Sequence, residues 1–210
     1  MKTQRIPKAT IQRMAVYVQV LEDLLGQDQS VISSDKLASI CEVNPSQIRK
    51  DLAYFGEFGV RGVGYYVHDL LQAIKHFLGI DRTWHCALVG VGNLGRAMLR
   101  HNQLKSKGFN VVAAFDCDPF KIGEVVAGHE VVCTRRIKEV VEEKQIQIGL
   151  ITTPSKRAQR AANHMVEAGI KGIINFAPAR IQVPQDVSVD YVDFSNYLIS
   201  LAFDISKSQS

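Results

Sequence analysis

Cysteine is scarce in this chain, and the cysteines that are present lie far apart in the sequence. There are four, Cys41, Cys86, Cys117 and Cys133, and no two of them form a C-x-x-C pair. This spacing argues against a structural zinc site and against a disulfide framework. We therefore expect free thiols and no metal site. We interpret Cys117 as a small buried apolar residue, with a redox-active thiol as the alternative.

Long apolar runs are absent as well. No stretch approaches the roughly 18 residues that a membrane span requires, and the first residues lack the apolar core of a secretory leader. The net charge of +4 is too small to indicate a nucleic-acid-binding protein by itself. From these absences we expect a cytoplasmic globular protein that does not contact membranes.

The first third of the chain has the pattern of a helix-turn-helix. Apolar residues between Thr10 and Gly26 recur at three- and four-residue spacing, which predicts an amphipathic helix. Two short helices follow, one capped by Ser34 and the next capped by Asn44, with Pro45 at its first position. In such a layout the second short helix enters the major groove of DNA.

A hairpin predicted over residues 56–67, where glycines alternate with apolar and aromatic residues, would form a wing beside that helix. Gln side chains can pair with adenine, Arg and Lys with guanine or phosphate, and an arginine between glycines suits a narrow minor groove. The alternative for the helix is an ordinary solvated face. The predicted DNA contacts are Ser46, Gln47, Arg49 and Lys50 of the helix, and Arg61, Gly62, Gly64 and Tyr65 of the wing.

From Trp84 onward, short apolar strands alternate with helical segments, which predicts a parallel, doubly wound sheet. The last segment, beginning at Phe194, again has helical spacing and a strongly apolar face that needs a partner. The fold class is therefore α/β, with three expected segments. These are a winged helix-turn-helix domain over residues 1–79, a Rossmann domain over 80–192, and a C-terminal dimerisation helix and tail over 193–210.

A G-x-G-x-x-G motif follows the first strand of this sheet and opens the next helix. Its residues are Gly90, Val91, Gly92, Asn93, Leu94 and Gly95. The motif alone is weak evidence, but a strand before it and a helix after it are the context in which such a loop binds a pyrophosphate. The positive end of the helix dipole then faces the phosphates. The sequence therefore predicts a dinucleotide site, with a glycine-rich turn without a nucleotide as the alternative.

Further residues are expected at the same edge of the sheet. Asp116 ends the second strand, where a carboxylate would accept hydrogen bonds from the adenosine ribose and repel a 2′-phosphate, so we expect NAD(H) rather than NADP(H). Thr152, Thr153 and Pro154 end a later strand and could contact the nicotinamide half, or form an ordinary turn.

We find no catalytic residues. A dehydrogenase needs a proton donor or acceptor beside the nicotinamide and a pocket that recognises its substrate. His129 and His164 lie in helical or loop contexts and are interpreted as surface or packing residues, whereas His101 ends the first Rossmann helix. The chain has room for a DNA-reading domain but not for a substrate domain, which favours sensing over turnover.

The sequence resembles the Rex family over almost its whole length. The residues that carry the resemblance are Gln47–Leu52, Tyr54–Gly56, Arg61–Tyr65, Gly90–Gly95 and Val192–Phe194. The resemblance implies a redox-sensing transcriptional repressor that binds palindromic double-stranded operator DNA as a homodimer and is released when NADH occupies its Rossmann domain.

The resemblance also implies a switch between the domains. The C-terminal helix would be exchanged between subunits, Asp193 and Phe194 would reach the nicotinamide region of the partner, and Arg13 could alternate as a partner for Asp193. One position departs from the family pattern, because His101 stands where the family has a tyrosine. This departure bears on the strength and pH dependence of the NADH response.

Two alternatives remain open from the sequence. One is a small NAD-dependent oxidoreductase with an accessory domain, which steady turnover of NADH would support. The other is a transcription regulator that senses a different nucleotide, such as coenzyme A, which Asp116 disfavours.

Overall fold

The computed structural model describes residues 6–101 and 103–208. These residues fall into two compact units, which meet in the chain between Arg82 and Thr83. The first unit is built from four helices and a small sheet. Its helices are α1 (Lys8–Gly26), α2 (Ser34–Ile40), α3 (Pro45–Leu52) and α4 (Val67–Leu78). Its antiparallel sheet has the strand order β1-β3-β2, with β1 at Val31–Ile32, β2 at Gly59–Val60 and β3 at Gly64–Tyr66. The winged helix-turn-helix prediction is confirmed.

The core of this unit consists of the apolar faces of its helices. Met14, Tyr17 and Leu21 of α1 are fully buried together with Leu37 of α2 and Ile48 of α3. Burying five large side chains in this way contributes of the order of 1.5–3 kcal/mol for each of them. The recognition helix is therefore held in place by packing as well as by polar contacts.

Helix caps largely follow the sequence, with one correction. Asn44 caps α3 as predicted, because its Oδ1 accepts a hydrogen bond from the backbone amide of Ser46 at 2.8 Å. The cap of α2 is Ser33 and not Ser34, since the Ser33 hydroxyl accepts from the backbone amide of Lys36. Two adjacent serines offer the same cap chemistry, and only the backbone conformation decides between them.

The second unit contains a seven-stranded sheet in the order β10-β9-β8-β4-β5-β7-β6. Six strands are parallel, and only β6 at the edge is antiparallel. If the six parallel strands are numbered in chain order, their spatial order across the sheet from β7 to β10 is 3-2-1-4-5-6. This is the Rossmann arrangement. The strands are β4 (Trp84–Val89), β5 (Phe109–Asp116), β6 (Val125–Val126), β7 (His129–Cys133), β8 (Ile148–Ile151), β9 (Gly172–Asn175) and β10 (Ser188–Tyr191). The predicted doubly wound sheet is confirmed.

Helices cover both faces of this sheet, and a separate apolar core lies on each face. The helices are α5 (Asn93–Arg100), α6 (Gln103–Ser106), α7 (Ile137–Glu143) and α8 (Ser155–Glu167), and a short 3-10 turn, Thr134–Arg136, precedes α7. His129 was expected in a helix or loop and instead begins β7. The sequence did not predict the hairpin of β6 and β7, because β6 has only two residues, too few to show an alternating pattern.

The last helix, α9 (Phe194–Ser208), exposes its apolar residues. The exposed apolar side chains are Phe194, Tyr197, Leu198, Ile199, Leu201, Phe203 and Ile205. A contiguous apolar surface of this kind marks a protein interface in most soluble proteins. Within the described residues, no helix is long and apolar enough to cross a membrane.

Candidate functional site

The glycine-rich loop joins β4 to α5, and each of its three glycines has a separate structural reason. Gly90 has φ of +107°, and a Cβ at this position would lie 2.8 Å from the Thr153 backbone nitrogen. A Cβ on Gly95 would overlap the Gly90 carbonyl oxygen at 2.2 Å. Gly92 is the N-cap of α5, and a Cβ at this position would have no heavy atom within 4 Å beyond its chain neighbours. The loop is thus packed tightly from behind and open at Gly92, where a ligand backbone could approach the helix N-terminus.

The remaining residues of the motif differ in exposure. Val91 is fully buried under the loop, Leu94 is exposed on the first turn of α5, and Asn93 is the first residue of that helix. Because α5 starts here, the free amide groups of its first turn point out of the helix end. This arrangement suits a diphosphate.

The end of β8 supports the loop from the neighbouring strand. The Thr152 hydroxyl donates a hydrogen bond to the Gly90 carbonyl oxygen at 2.7 Å, and the Thr152 amide donates to the Val89 carbonyl oxygen at 2.9 Å. The strand order reverses between β4 and β8, and open α/β sheets bind their ligands at the carboxyl ends of the strands flanking such a point. Thr152 therefore orients the loop, while Thr153 and Pro154 line the cleft in front of it.

Asp116 lies at the predicted edge, but its carboxylate is already engaged. One oxygen accepts hydrogen bonds from the Val91 amide at 2.8 Å and the Lys121 ammonium at 3.1 Å, and the other accepts from the amides of Cys117 and Asp118. A carboxylate offers about four acceptor positions, so none is left over. Asp116 is 5% exposed. Direct bonding to ribose hydroxyls stays a prediction that would require one of these partners to move.

The electrostatics of Asp116 follow from these contacts. Burial raises the pKa of the carboxyl, but hydrogen bonds from the Asp118 and Val91 amides and from Lys121 outweigh burial, so the pKa lies below its ordinary value. Asp116 is therefore charged at neutral pH, with its charge compensated by Lys121. In the folded protein, Asp116 connects the end of β5 to the glycine-rich loop through the hydrogen bond that it accepts from the Val91 amide.

A cleft of about 590 Å³ opens at this edge of the sheet. Of the predicted cofactor residues, the cleft brings together Gly90, Gly92, Asp116, Thr152, Thr153 and Pro154. It is also lined by residues that the sequence analysis missed, namely Lys121, Arg135, Arg157, Arg160 and His164. Three of these residues could have been found from the sequence by their helical spacing. Positions 157, 160 and 164 are three and four residues apart and therefore share one face of α8. Phe194 of α9 does not line the cleft.

The prediction that Cys117 is buried is wrong. Cys117 is exposed at the cleft, and an Arg157 nitrogen donates a hydrogen bond to its sulfur at 3.3 Å. Cys86 is the buried cysteine, and burial raises its pKa to about 11, so it stays protonated. The four cysteines are free, as expected, and no group of three metal-ligating side chains occurs in the part of the chain that the structure describes.

The recognition helix α3 presents its polar residues in an ordered way. An Arg49 guanidinium nitrogen donates to the Ser34 hydroxyl at 3.0 Å, and the Ser46 hydroxyl donates to the Asn44 cap at 2.9 Å. Both contacts are exposed, and so is Lys50. Arg49 and Ser46 can exchange these partners for DNA at small cost, since exposed polar contacts contribute little to stability.

Gln47 belongs to a buried network centred on Asp51, which is 1% exposed. Its amide nitrogen donates to one Asp51 oxygen at 2.8 Å, and Arg13 of α1 grips both oxygens, at 2.6 and 2.7 Å. The Tyr17 hydroxyl donates to the same carboxylate at 2.9 Å and the Thr10 hydroxyl at 3.3 Å. This network fixes α3 against α1 and also fixes the Gln47 amide. Bidentate Arg–carboxylate pairs of this kind hold geometry as well as charge.

The structure of the wing does not support the predicted DNA contact of Tyr65. Tyr65 is 7% exposed and packs in the core of the first unit, whereas its neighbour Tyr66 faces outward. Gly64 also has an internal role, because a Cβ there would lie 2.4 Å from the Ile32 carbonyl oxygen. Gly62 has φ of +80° and open space, as expected at the tip of a tight turn. Arg61 and Gly62 therefore form the tip that can reach DNA.

Replacing Arg61 with alanine is expected to weaken operator binding about tenfold and to lower the salt dependence of binding by about one unit of log–log slope. The side chain is exposed at the wing tip and makes no hydrogen bond or ion pair among the described residues, so we expect folding to be unchanged. Gel shifts at several salt concentrations measure both quantities. Lys36→Ala, an exposed cation on α2, is the matched control, and an equal loss in both variants would contradict a wing-specific role.

The predicted switch residues lie at helix ends or in the network above. His101 is the exposed C-cap of α5, and Asp193 caps the N-terminus of α9, accepting from the Ser195 amide at 2.9 Å and from the Ser195 hydroxyl. The Ser195 hydrogen bonds keep the pKa of Asp193 below its ordinary value. Arg13 is paired with Asp51.

Comparison with known protein families divides the chain in the same sense as the structure. Residues 81–179 match a family described as "CoA binding domain", and residues 5–53 match one described as "Putative DNA-binding protein N-terminus". The redox-sensing transcriptional repressor Rex of Maridesulfovibrio salexigens is 68% identical over 206 residues, covering 98% of this chain and 99% of that protein. The chain belongs to the Rex family.

Solved structures of a Rex-family repressor called RSP extend this relationship to three dimensions. RSP in complex with NAD⁺ and operator DNA is 34% identical, covers 99% of this chain and 95% of its own, and superposes with a TM-score of 0.92. RSP in complex with NADH is 33% identical, with coverage of 99% and 97% and a TM-score of 0.88. Both halves of the Rex fold are therefore present here. The Rex relatives are named as repressors and not as enzymes.

Proposed function

We propose that this protein is a redox-sensing transcriptional repressor that binds palindromic operator DNA as a homodimer and releases it when NADH occupies the Rossmann unit. The observation that carries this function is the full-length match to Rex repressors, with both a winged helix-turn-helix and a dinucleotide fold in one chain. RSP has been crystallised with NAD⁺ and operator DNA, and also with NADH. As a repressor of chromosomal genes, the protein would act in the cytoplasm.

In this proposal the diphosphate of NAD(H) lies on the glycine-rich loop and the first turn of α5. Gly92 provides the open backbone, Asn93, Leu94 and Gly95 provide the first turn of the helix, and Val91 is the buried residue that precedes them. The adenosine half lies in the cleft between the end of β5 and α8, lined by Asp116 and Lys121. NAD(H) supplies the redox signal, and the protein's own residues only bind and orient it.

The DNA-reading half uses α3 and the wing tip. Ser46, Arg49 and Lys50 face outward on α3, Gln47 is set in orientation by Asp51, and Arg61 stands at the wing tip. A helix in the major groove and an arginine in the adjacent minor groove are complementary ways to read DNA.

In this proposal the functional segments are the DNA-binding domain over residues 1–79, the Rossmann domain over 80–192, and the dimerisation helix and tail over 193–210.

Dimerisation follows from α9. Its exposed apolar stripe would be covered by a second copy of the chain, in a helix exchange that also carries Asp193 and Phe194 towards the partner's nicotinamide region. Two reading heads then address the two halves of a palindrome, which is the symmetry that a dimer imposes on its operator.

Replacing Leu198 with glutamate is expected to weaken the dimer at least about 100-fold, since a buried unpaired charge costs several kcal/mol. Sedimentation across a concentration series measures this change. Ser200→Glu, on the polar stripe of α9, introduces the same charge and should leave the dimer intact. If both variants sediment alike, α9 is not the dimer contact.

The switch is a population shift between DNA-binding and released states. A ligand moves such an equilibrium only by its differential affinity for the two states. Arg13 is the residue through which we link the domains, because its present partner Asp51 and the proposed alternative Asp193 would compete for one guanidinium. His101, in place of the family's tyrosine, would alter the strength of the NADH response.

The decisive experiment is a gel shift on a palindromic operator with NADH titrated against excess NAD⁺. We expect the complex to form with NAD⁺ and to dissociate as NADH rises. A complex that resists NADH would refute the sensor mechanism, and failure to bind any palindromic operator would refute the repressor function.

A further inference from the structure

Phe120 is the most exposed large apolar side chain among the described residues, because 92% of its surface is open to solvent. It lies in the loop over residues 117–122, which leaves β5 directly after Asp116 and which we call the rim loop. Single exposed apolar residues are common and need no explanation by themselves. For Phe120 the surroundings of the ring therefore decide whether it has a role.

The backbone of the rim loop is fixed by hydrogen bonds on both sides of Phe120. The Asp118 carboxylate accepts a hydrogen bond from the Phe120 amide at 3.1 Å, and the Asp118 carbonyl oxygen accepts from the amides of Lys121 and Ile122 at 3.0 and 3.2 Å. The Lys121 ammonium also donates to Asp116 at 3.1 Å. The loop therefore holds the Cα of Phe120 in one place, while the exposed ring can change its rotamer.

The residues on either side of Phe120 line the cleft in front of the glycine-rich loop. Pro119 precedes it, Lys121 and Ile122 follow it, and all three belong to the cleft wall. The Phe120 side chain itself points to solvent and is not part of that wall. Because neighbouring Cα atoms are only about 3.8 Å apart, the ring stands at the rim of the cleft.

The cleft wall offers a nucleobase no aromatic surface of its own. Within the part of the chain that the structure describes, the lining residues include no phenylalanine, tyrosine or tryptophan. A base has two flat faces, and stacking on an aromatic ring is a main source of affinity for it. Pro119 and Ile122 give the wall an apolar surface against which one face of a base can lie. The ring of Phe120 stands where it can cover the other face.

We propose that Phe120 is a rotating cover, which turns about its first side-chain torsion and stacks on the adenine ring of the bound dinucleotide. The inference rests on the proposed function, because it assumes that the adenosine half lies in this cleft. Stacking removes apolar surface of the ring from water and adds an aromatic contact. Because the adenine is the same in NADH and NAD⁺, Phe120 strengthens the binding of both equally. It therefore sets the concentration range of the sensor and not its discrimination between redox states.

The test compares Phe120→Ala with the wild type for three ligands. NADH is titrated by its fluorescence, and NAD⁺ and 5′-AMP are measured by competition against NADH. We expect the affinity for each ligand to fall about five- to tenfold, as the loss of one base–aromatic stack predicts, with an unchanged ratio of NADH to NAD⁺ affinity. Phe120→Trp keeps a stacking ring and should bind all three ligands at least as tightly as the wild type. Wild-type affinity for 5′-AMP in Phe120→Ala, or a loss confined to one redox state, would overturn the proposal.

Val125→Ala is the matched control, because Val125 is a 69% exposed apolar residue of β6 that does not line the cleft. Both variants change exposed side chains, so both should unfold at nearly the wild-type temperature. Val125→Ala should keep all three affinities, and an equal loss in the two variants would contradict a specific contact of Phe120. A Phe120→Ala protein that binds 5′-AMP normally but sediments differently would assign the ring to a contact between proteins and overturn the proposal.

The same measurements separate this inference from the proposed function. If the wild type does not bind NADH, the dinucleotide site fails, and the sensor and the cover fail with it. If the wild type binds NADH and Phe120→Ala binds 5′-AMP equally well, the sensor stands and only the cover falls.

Discussion

Replacing Gly92 with valine is expected to yield a repressor that binds operator DNA but no longer responds to NADH. A Cβ at this position would have no heavy atom within 4 Å beyond its chain neighbours, and the backbone is extended, so we expect valine to fold without strain. It would instead occupy the place where the diphosphate approaches the helix end. We expect the NADH affinity to fall by at least about 100-fold, or about 2.7 kcal/mol.

Fluorescence titration with NADH and gel shifts on the operator measure the two properties separately. Gly95→Ala is the contrasting variant, because its Cβ would collide with the Gly90 carbonyl oxygen. Overpacking of this kind costs about 1–3 kcal/mol, so Gly95→Ala should lower the melting temperature while Gly92→Val should not. Normal NADH binding by a folded Gly92→Val protein would place the diphosphate elsewhere.

The overall fold could be predicted because it depends on local patterns. The spacing of apolar residues in α1, the Asn44–Pro45 start of α3 and the strand-loop-helix context of Gly90–Gly95 are each specified by a few neighbouring residues. Once strands and helices alternate, the right-handed crossover rule leaves few topologies, and the 3-2-1-4-5-6 order is a common one.

The details of the two sites could not be predicted because they depend on contacts between distant residues. Asp116 has the sequence context of a ribose ligand, yet its oxygens are occupied by Val91 and Lys121, which approach it only in the folded state. Tyr65 and Tyr66 are neighbours in a strand, and a register shift of one residue decides which ring is buried. Cys117 is exposed because the chain leaves the sheet directly after Asp116.

Replacing Asp51 with alanine is expected to weaken operator binding strongly while NADH binding persists. The carboxylate holds Arg13, Tyr17 and Gln47 in one arrangement, so its removal leaves a buried hydroxyl and a partly buried guanidinium without their partner. Breaking a buried pair costs about 3–5 kcal/mol, and because Arg13 can still reach water we expect about 2–3 kcal/mol for the first unit. The recognition helix then loses its anchor to α1.

Operator affinity should fall by more than tenfold, since misplacement of α3 affects every contact that it makes with DNA. The experiment measures the melting transition of the first unit, operator binding by gel shift, and NADH affinity by fluorescence. Asp35→Ala removes an exposed carboxylate from α2 and should leave all three measurements nearly unchanged. Asp51→Asn keeps the shape but not the charge, so an operator affinity equal to that of the wild type would show that shape alone positions α3.

Acid should act on the same group. Burial raises the pKa of Asp51, but hydrogen bonds from Arg13, Gln47 and Tyr17 outweigh burial, so the pKa lies below its ordinary value in the folded protein. A carboxyl with a lowered folded pKa stabilises the fold fully above the unfolded value of about 3.9 and loses this contribution as the pH falls further. The wild type should therefore lose stability more steeply than Asp51→Ala below about pH 4. Parallel curves for the two proteins would mean that Asp51 is not the ionised centre of the network.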